Sequence, residues 1–164
     1  MSAMTKGFWA TSLDLQDAFF HTPVARQHRK FLRFRFGPHH FQFSALPFGL
    51  ALSPYIFTRV VKPVGTYAHR QGLNLLQYLD DWLLTSNSKE NCTAWTCWLT
   101  NISESLGLLV NLLKSDLEPS QEFQFIGIKF DLLSATAQLA PHRIETFLQL
   151  AARFRSTPSP SVVM

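Results

Sequence analysis

Acidic residues are scarce in this chain: 11 aspartates and glutamates stand against 15 lysines and arginines, leaving a net charge of +4. Two neighbouring carboxylates in an apolar setting therefore need a physical reason. Cysteine is scarcer still. Cys92 and Cys97 are the only two, too few for a disulfide scaffold and wrongly spaced for a zinc knuckle, which points to a reduced, intracellular setting. No stretch approaches the roughly 18 consecutive apolar residues of a membrane span, and no apolar run of signal-peptide type follows Met1. The expectation is a protein with no membrane partner and no export signal, without a choice between cytosol and nucleus. There is no internal repeat.

What is present can build a core. The 164 residues are 46% apolar and 13% aromatic, enough for one domain or a large piece of one. Their charge is polarised. Up to Arg70 nine basic residues face two acids, Asp14 and Asp17, a balance of +7, while the remainder stands at −3. Five of those nine fall between Arg26 and Arg35. Such a cluster is by default a solvated face; a nucleic acid is the partner it would suit.

Residues Ala10 to Leu15 alternate as a half-buried strand would, with Asp14 near its end on the face of Ala10 and Ser12. Phe31 to Phe36 alternates again, sending Arg33 and Arg35 to one face and Leu32, Phe34 and Phe36 to the other, before Gly37-Pro38 turns the chain. His39 and His40 then read as an exposed turn. Ser53-Pro54 reads as a helix start with serine as the cap. A stripe of Ile56, Phe57, Val60, Val61 and Val64 follows, with Gly72 as a stop and Pro63 predicting a kink or an early end. A second helix is expected from Ser88 to Leu106, placing both cysteines in or near the core. Phe123 to Phe130 reads as a strand or tight hairpin, and a third helix starts at Pro141 with Ile144, Phe147, Leu148 and Ala151 on its packed face. Thr157-Pro158-Ser159-Pro160 reads as a tail. This order of elements predicts an α+β domain, a largely antiparallel sheet covered by helices.

Within that frame Tyr78-Leu79-Asp80-Asp81 sets two adjacent carboxylates between Leu75-Leu76 and Trp82-Leu83-Leu84. Burying them is costly unless water, a cation or a hydrogen-bond network meets them, so the pair points to a metal site at a hairpin tip. Two-metal nucleotidyl transfer needs carboxylates that hold two divalent cations about 3.5–4 Å apart. A third carboxylate from another strand is missing from the pair. Asp14, alone no more than a strand-end residue, is the candidate.

Three ordered segments, Ser12-Leu13-Asp14-Leu15-Gln16-Asp17-Ala18-Phe19-Phe20, Leu46-Pro47-Phe48-Gly49-Leu50 with Ser53-Pro54, and Tyr78-Leu79-Asp80-Asp81, resemble the first three motifs of reverse transcriptases. Asn111-Leu112-Leu113-Lys114-Ser115 resembles the fourth, and Phe125-Ile126-Gly127-Ile128 the primer grip. The resemblance covers roughly residues 8 to 150. The runs His21-Thr22-Pro23 and Arg29 to Phe34 look closest to the retrotransposon branch carrying a tyrosine recombinase (DIRS-like).

That resemblance implies an RNA-directed DNA polymerase palm with part of the fingers over residues 1–155 and a tail over 156–164. It implies Asp14, Asp80 and Asp81 as ligands of two Mg2+ ions, with Mn2+ as a substitute, and Lys114 as the proton donor to the leaving pyrophosphate. Phe19 would exclude a ribose 2′-hydroxyl. Phe48 stands where retroviral enzymes carry glutamine, leaving nucleotide selection to shape and stacking, and Gly49 beside it would also lie at the nucleotide or primer. Tyr78, Phe125 and Gly127 would lie at the primer, and Arg29, Lys30, Arg33 and Arg35 on template phosphates. The partners would be an RNA or DNA template with its primer, and dNTPs. Asp17 reads as a turn residue.

Two other readings follow from the same residues. The chain begins about a dozen residues before the first motif and ends soon after the primer grip, without a full thumb or RNase H. A catalytically silent, nucleic-acid-binding remnant of a retroelement is therefore the alternative. A structural α+β domain with accidental motif matches is the third; a structure with Asp14 and Asp80 far apart would favour it.

Overall fold

The computed structural model describes residues 5–139 and 141–156. Its centre is a four-stranded antiparallel sheet of β1 (Trp9–Asp14), β4 (Asn74–Tyr78), β5 (Asp81–Ser86) and β6 (Asp116–Ser120), in the order β4-β5-β1-β6. β1 and β5 are fully registered, from Trp9 opposite Ser86 to Asp14 opposite Asp81. A two-stranded hairpin of β2 (Arg33–Phe36) and β3 (His39–Gln42) precedes α1 (Ser53–Arg70). α2 (Lys89–Ser105) follows β5. A three-stranded sheet of β7 (Glu122–Phe125), β8 (Ile128–Asp131) and β9 (Thr136–Leu139) leads into α3 (Pro141–Ser156). The fold is the expected antiparallel α+β class, and among the described residues no helix is long and apolar enough to cross a membrane.

α1 and α2 pack on the central sheet. Phe57, Val61, Val64 and Ala68 form the buried stripe of α1 against Leu13, Leu75, Trp82 and Leu84. Phe57 and Trp82 are fully buried, and each large apolar side chain so removed from water contributes about 1.5–3 kcal/mol. Both helices end alike. Leu73 N–H donates to Ala68 O and Gly72 N–H to His69 O, while Leu108 N–H donates to Ser103 O and Gly107 N–H to Glu104 O. These are paired closures over a left-handed glycine. Ser88 caps α2, its side chain accepting from Asn91 N–H at 3.1 Å.

Several expectations need correction. Ser53 is no cap: its buried hydroxyl donates to Pro47 O at 2.8 Å, which ties α1 to the preceding turn. α1 does not end early at Pro63 but runs on to Arg70. Val60 is half exposed, one position off the buried stripe. Cys92 is buried but Cys97 is exposed. Phe31 and Leu32 close a 3₁₀ segment rather than opening a strand, and all of β2 is exposed because nothing described packs over it. His39 and His40 belong to β3. β6 and β9 were not anticipated. On α3, Ile144, Phe147 and Leu148 are exposed, where a packed face was expected. The expected tail lies outside the described residues from 157 onward.

Candidate active site

The ends of β1 and the β4–β5 hairpin bring three aspartates together. Asp14 closes β1 and is the register partner of Asp81, the first residue of β5. Asp80 sits in the two-residue turn between β4 and β5, where Leu79 takes a left-handed φ of 54°. Two bonds fix that turn: Leu15 N–H donates to Asp80 O at 2.9 Å, and the buried Trp82 donates its indole N–H to Leu79 O at 3.0 Å. The alternation that ends β1 at a carboxylate and the apolar anchor after the aspartate pair thus converge on one end of the sheet.

The segment carrying Lys114 is laced to Asp14. Asn111 N–H donates to Asp14 O at 2.8 Å, and Asp14 N–H donates to Ser115 Oγ at 2.9 Å. Ser115 Oγ in turn donates to Asn111 O at 2.7 Å. The Asn111 side chain hydrogen-bonds the Asp14 carboxyl, while its own oxygen accepts from Leu113 N–H at 3.2 Å. His21 adds a tie from the 3₁₀ turn after β1, its Nε2 accepting from Leu109 N–H at 3.2 Å. Asn111, Ser115 and His21 were not expected as site residues. The available signal was two hydrogen-bonding side chains flanking Lys114 in an otherwise apolar run.

Electrostatics at this end are strained. Burial pushes the Asp14 carboxyl above its ordinary value; Asp80 adds to the rise, and Lys114 and the Asn111 hydrogen bond oppose it. Asp81 is raised by burial, then by Asp80 and Asp14, again against Lys114. Lys114 acts at a distance, since the ion pairs among the described residues are Lys89–Glu118 and Lys129–Glu122. Among the described residues no three His, Cys, Asp or Glu side chains are arranged, as they stand, to hold a metal ion. The donor set is nonetheless all carboxylate oxygen, the chemistry that suits a hard divalent cation.

Asp14, Asp80, Asn111, Lys114 and Phe48 line a cleft of about 510 Å³, with Asp17 at its edge in a left-handed turn. Phe48 is 60% exposed and covers Phe19, whose ring lies 5.1 Å away and packs edge-on to Phe57 at 5.8 Å. Phe19 is thus a core residue behind Phe48 and is not on the cleft wall. Gly49 turns the chain beside Phe48 with φ 84°, and an added Cβ there would meet open space. Tyr78, opposite Asp81 in the ladder, is half exposed outside the cleft lining.

The remaining residues stand apart from the carboxylates. Phe125 is 5% exposed and packs with Ala10, Leu83, Phe123 and Leu132, so it is a core residue where a primer contact was expected. The tip presents Ile126 and Gly127, both left-handed, instead. Arg33 and Arg35 share one face of β2, opposite in register to Gln42 and His40. Arg29 donates its Nε–H to Val24 O at 2.9 Å, and the Lys30 ammonium lies 5.1 Å from the Phe31 ring centre.

Comparison with known proteins sets this geometry in context. The family model described as reverse transcriptase (RNA-dependent DNA polymerase) matches residues 1–130. Protein P of a duck hepatitis B virus (isolate brown Shanghai duck S5) is 27% identical over 73% of this chain and 15% of its own. The Gag-Pol polyprotein of Rous sarcoma virus subgroup B (strain Schmidt-Ruppin) is 31% identical over 79% of this chain and 8% of its own. The chain therefore spans less than a sixth of the length of these relatives. Two structures of a foamy viral protease-reverse transcriptase share the fold. One, in complex with double-stranded DNA, has TM-score 0.72 at 19% identity over 95% of this chain and 25% of that one. The other, with an RNA/DNA hybrid, has TM-score 0.71 at 19% identity over 96% and 20%.

Proposed function

The chain belongs to the reverse transcriptase (RNA-dependent DNA polymerase) family, and on that premise we propose that it is the palm, with part of the fingers, of an RNA-directed DNA polymerase that extends a primer with dNTPs. The observation that carries this reading is the register of Asp14 on Asp81 with Asp80 in the adjoining turn. Residues 1–155 form the polymerase unit. The His21-Thr22-Pro23 and Arg29 to Phe34 runs support the tyrosine-recombinase retrotransposon branch as its source.

Asp14, Asp80 and Asp81 would hold divalent cations, two Mg2+ or, in substitution, Mn2+. Their fit rests on an oxygen-only donor set and on the Asp14 and Asp81 carboxyls, raised by burial and by neighbouring negative charge, which a cation offsets. Once bound, such ions supply activation of the primer hydroxyl and stabilisation of the leaving pyrophosphate. Lys114 supplies positive charge beside the cleft and a proton for the leaving group. Phe48 forms the floor against which a nucleotide stacks, and Phe19, the residue expected to exclude a 2′-hydroxyl, acts from behind it by setting where that floor lies. Tyr78 and Gly127 flank the primer, and the Arg33–Arg35 face of β2, with Lys30, meets template phosphates.

Extension of a primed homopolymer by this chain, with Mg2+ and then Mn2+, tests the reading against the Asp14→Asn/Asp80→Asn/Asp81→Asn variant. Incorporation that the triple variant lacks is expected. Duplex binding without incorporation would instead establish the silent, nucleic-acid-binding remnant.

A further inference from the structure

We propose that the outward face of α1 is a binding track for a single strand of nucleic acid, distinct from the carboxylate cleft and from the β2 face. Tyr55, Arg59, Lys62, Thr66 and Arg70 recur at steps of three and four, so they form one helical stripe about 22 Å long at 1.5 Å per residue. The stripe lines an open groove of about 840 Å³. At its upper end stands Leu79, the left-handed residue immediately before Asp80. The track thus runs away from the carboxylate turn down the side of the molecule.

The chemistry of the lining selects its occupant. Arg59, Lys62 and Arg70 enter the groove with no acidic residue among the lining side chains. The ion pairs among the described residues lie elsewhere, on α2 with β6 and within the β7–β8 hairpin. Three cations without a carboxylate favour a polyanion. Two exposed rings narrow the choice. Tyr55 is 59% and Tyr67 46% exposed. The Arg59 guanidinium lies 5.8 Å from the Tyr55 ring centre and donates to its hydroxyl at 3.1 Å, which fixes the ring upright. Tyr67 is braced from behind by Trp98, ring centres 5.7 Å apart. Fixed rings alternating with cations offer stacking faces to bases and charges to phosphates, the pattern of sequence-tolerant single-strand binding. An acidic peptide would use the cations and leave the ring faces idle.

The track is tested without divalent cations, so its failure and that of the polymerase reading are distinguishable. Anisotropy of a fluorescein-labelled oligo-dT is followed across a KCl series in EDTA. Arg59→Gln/Lys62→Gln/Arg70→Gln is expected to reduce the slope of log affinity against log salt by about 2, three contacts at roughly 0.7 each. Tyr55→Ala is expected to weaken binding roughly tenfold. Thermal melting checks that these surface changes leave the fold intact. Photo-cross-linking of a thiothymidine oligonucleotide to the unaltered chain, expected on the peptide carrying Tyr55 or Tyr67, gives the same answer without a variant. An unchanged slope in the triple variant overturns the proposal. So does loss of the entire slope in Arg33→Gln/Arg35→Gln alone, or displacement of the oligonucleotide by polyglutamate at equal charge concentration, which would mark an acidic-peptide surface.

Discussion

Asp14 and Asp81 face each other as the last registered pair of the β1–β5 ladder, so two carboxylates sit where a sheet normally seats a complementary pair. Their surroundings add to the conflict, since burial and the neighbouring Asp80 raise both carboxyls. Such an arrangement costs folding stability and is kept only where the charges do something together.

The first prediction concerns that cost. In the metal-free chain at neutral pH, Asp81→Asn should stabilise the fold by up to about 1 kcal/mol, the size of a like-charge cross-strand conflict moderated by solvent. Because the folded carboxyls titrate above the ordinary 3.8, the native state holds more protons than the unfolded one through that window. Stability therefore falls as pH rises from 3.8 through the raised values, and the variant should flatten this fall. Urea denaturation in EDTA at several pH values measures both; a variant less stable than the parent at neutral pH contradicts the argument.

Divalent cations should act with the opposite sign. Ligand that binds the folded state alone at one hundred times its Kd adds about 2.7 kcal/mol. Saturating Mn2+ should accordingly raise the melting temperature of the parent and leave that of Asp14→Asn/Asp80→Asn/Asp81→Asn unmoved. An equal rise in both would place the ion elsewhere on the chain.

Gly127 is held by its backbone. Its φ is 76°, and what an added Cβ would meet is the Arg143 guanidinium, the far end of a flexible, exposed side chain that can swing aside. Gly127→Ala should therefore cost about 1–2 kcal/mol, nearly all of it from the left-handed backbone. Arg143→Ala in that background should recover little of the loss, which a double-mutant cycle by urea denaturation reads directly. Complete recovery would remove the backbone from the account.

Much of this architecture was legible because it is local. β1 announces itself by alternation, α2 by Ser88 at one end and Gly107 at the other, and the aspartate pair by its apolar flanks. What was not legible depends on partners distant in sequence. β6 contains Pro119 and no apolar run; it is a strand only because β1 has a free edge beside it. Phe19 and Phe125 read as site residues from their positions in motifs, yet burial is set by Phe48 and Phe57 for one and by Ala10 and Leu83 for the other. Ser53 has the residue type of a cap, yet its hydroxyl donates to Pro47 O, six positions back, and accepts no helix amide. The lacing of Asp14 by Asn111 and Ser115 spans about a hundred residues, and no periodicity reports such a contact.

Asp131 supplies a pH response of opposite sign to that of the aspartate cluster. It accepts from Leu133 N–H at 2.8 Å and Ser134 N–H at 3.2 Å, closing the turn from β8 to β9. The Ser134 hydroxyl, foremost, and these amides hold its carboxyl below the ordinary 3.8. The turn is therefore stabilised above pH 3.8 and loosens as pH falls through the depressed folded value. Amide exchange at Leu133 and Ser134 should accelerate there relative to the base-corrected rate, and Asp131→Asn should abolish the transition; a transition that persists in the variant belongs to another group.

The Asn111–Ser115 lacing gives the prediction that joins stability to chemistry. Ser115 Oγ accepts the Asp14 amide and donates to Asn111 O, so Ser115→Ala leaves the partly buried Asp14 N–H without its partner, while Asn111 O keeps the Lys114 and Ser115 amides. The expected cost is about 1–3 kcal/mol. Asn111→Ala keeps both backbone bonds and removes the amide that meets the Asp14 carboxyl together with the exposed bond its oxygen accepts from Leu113 N–H, so its cost should be smaller while its effect on the carboxyl is larger. The two variants should therefore separate. Ser115→Ala lowers the urea midpoint more, whereas Asn111→Ala changes the Mn2+ concentration needed for half of the thermal shift, because the freed Asp14 side chain must be oriented by the ion itself. Ser115→Thr keeps the hydroxyl and should hold the midpoint near that of the parent. If both alanine variants lost stability equally and bound Mn2+ as the parent does, Asn111 would be a loop residue with no part in presenting Asp14.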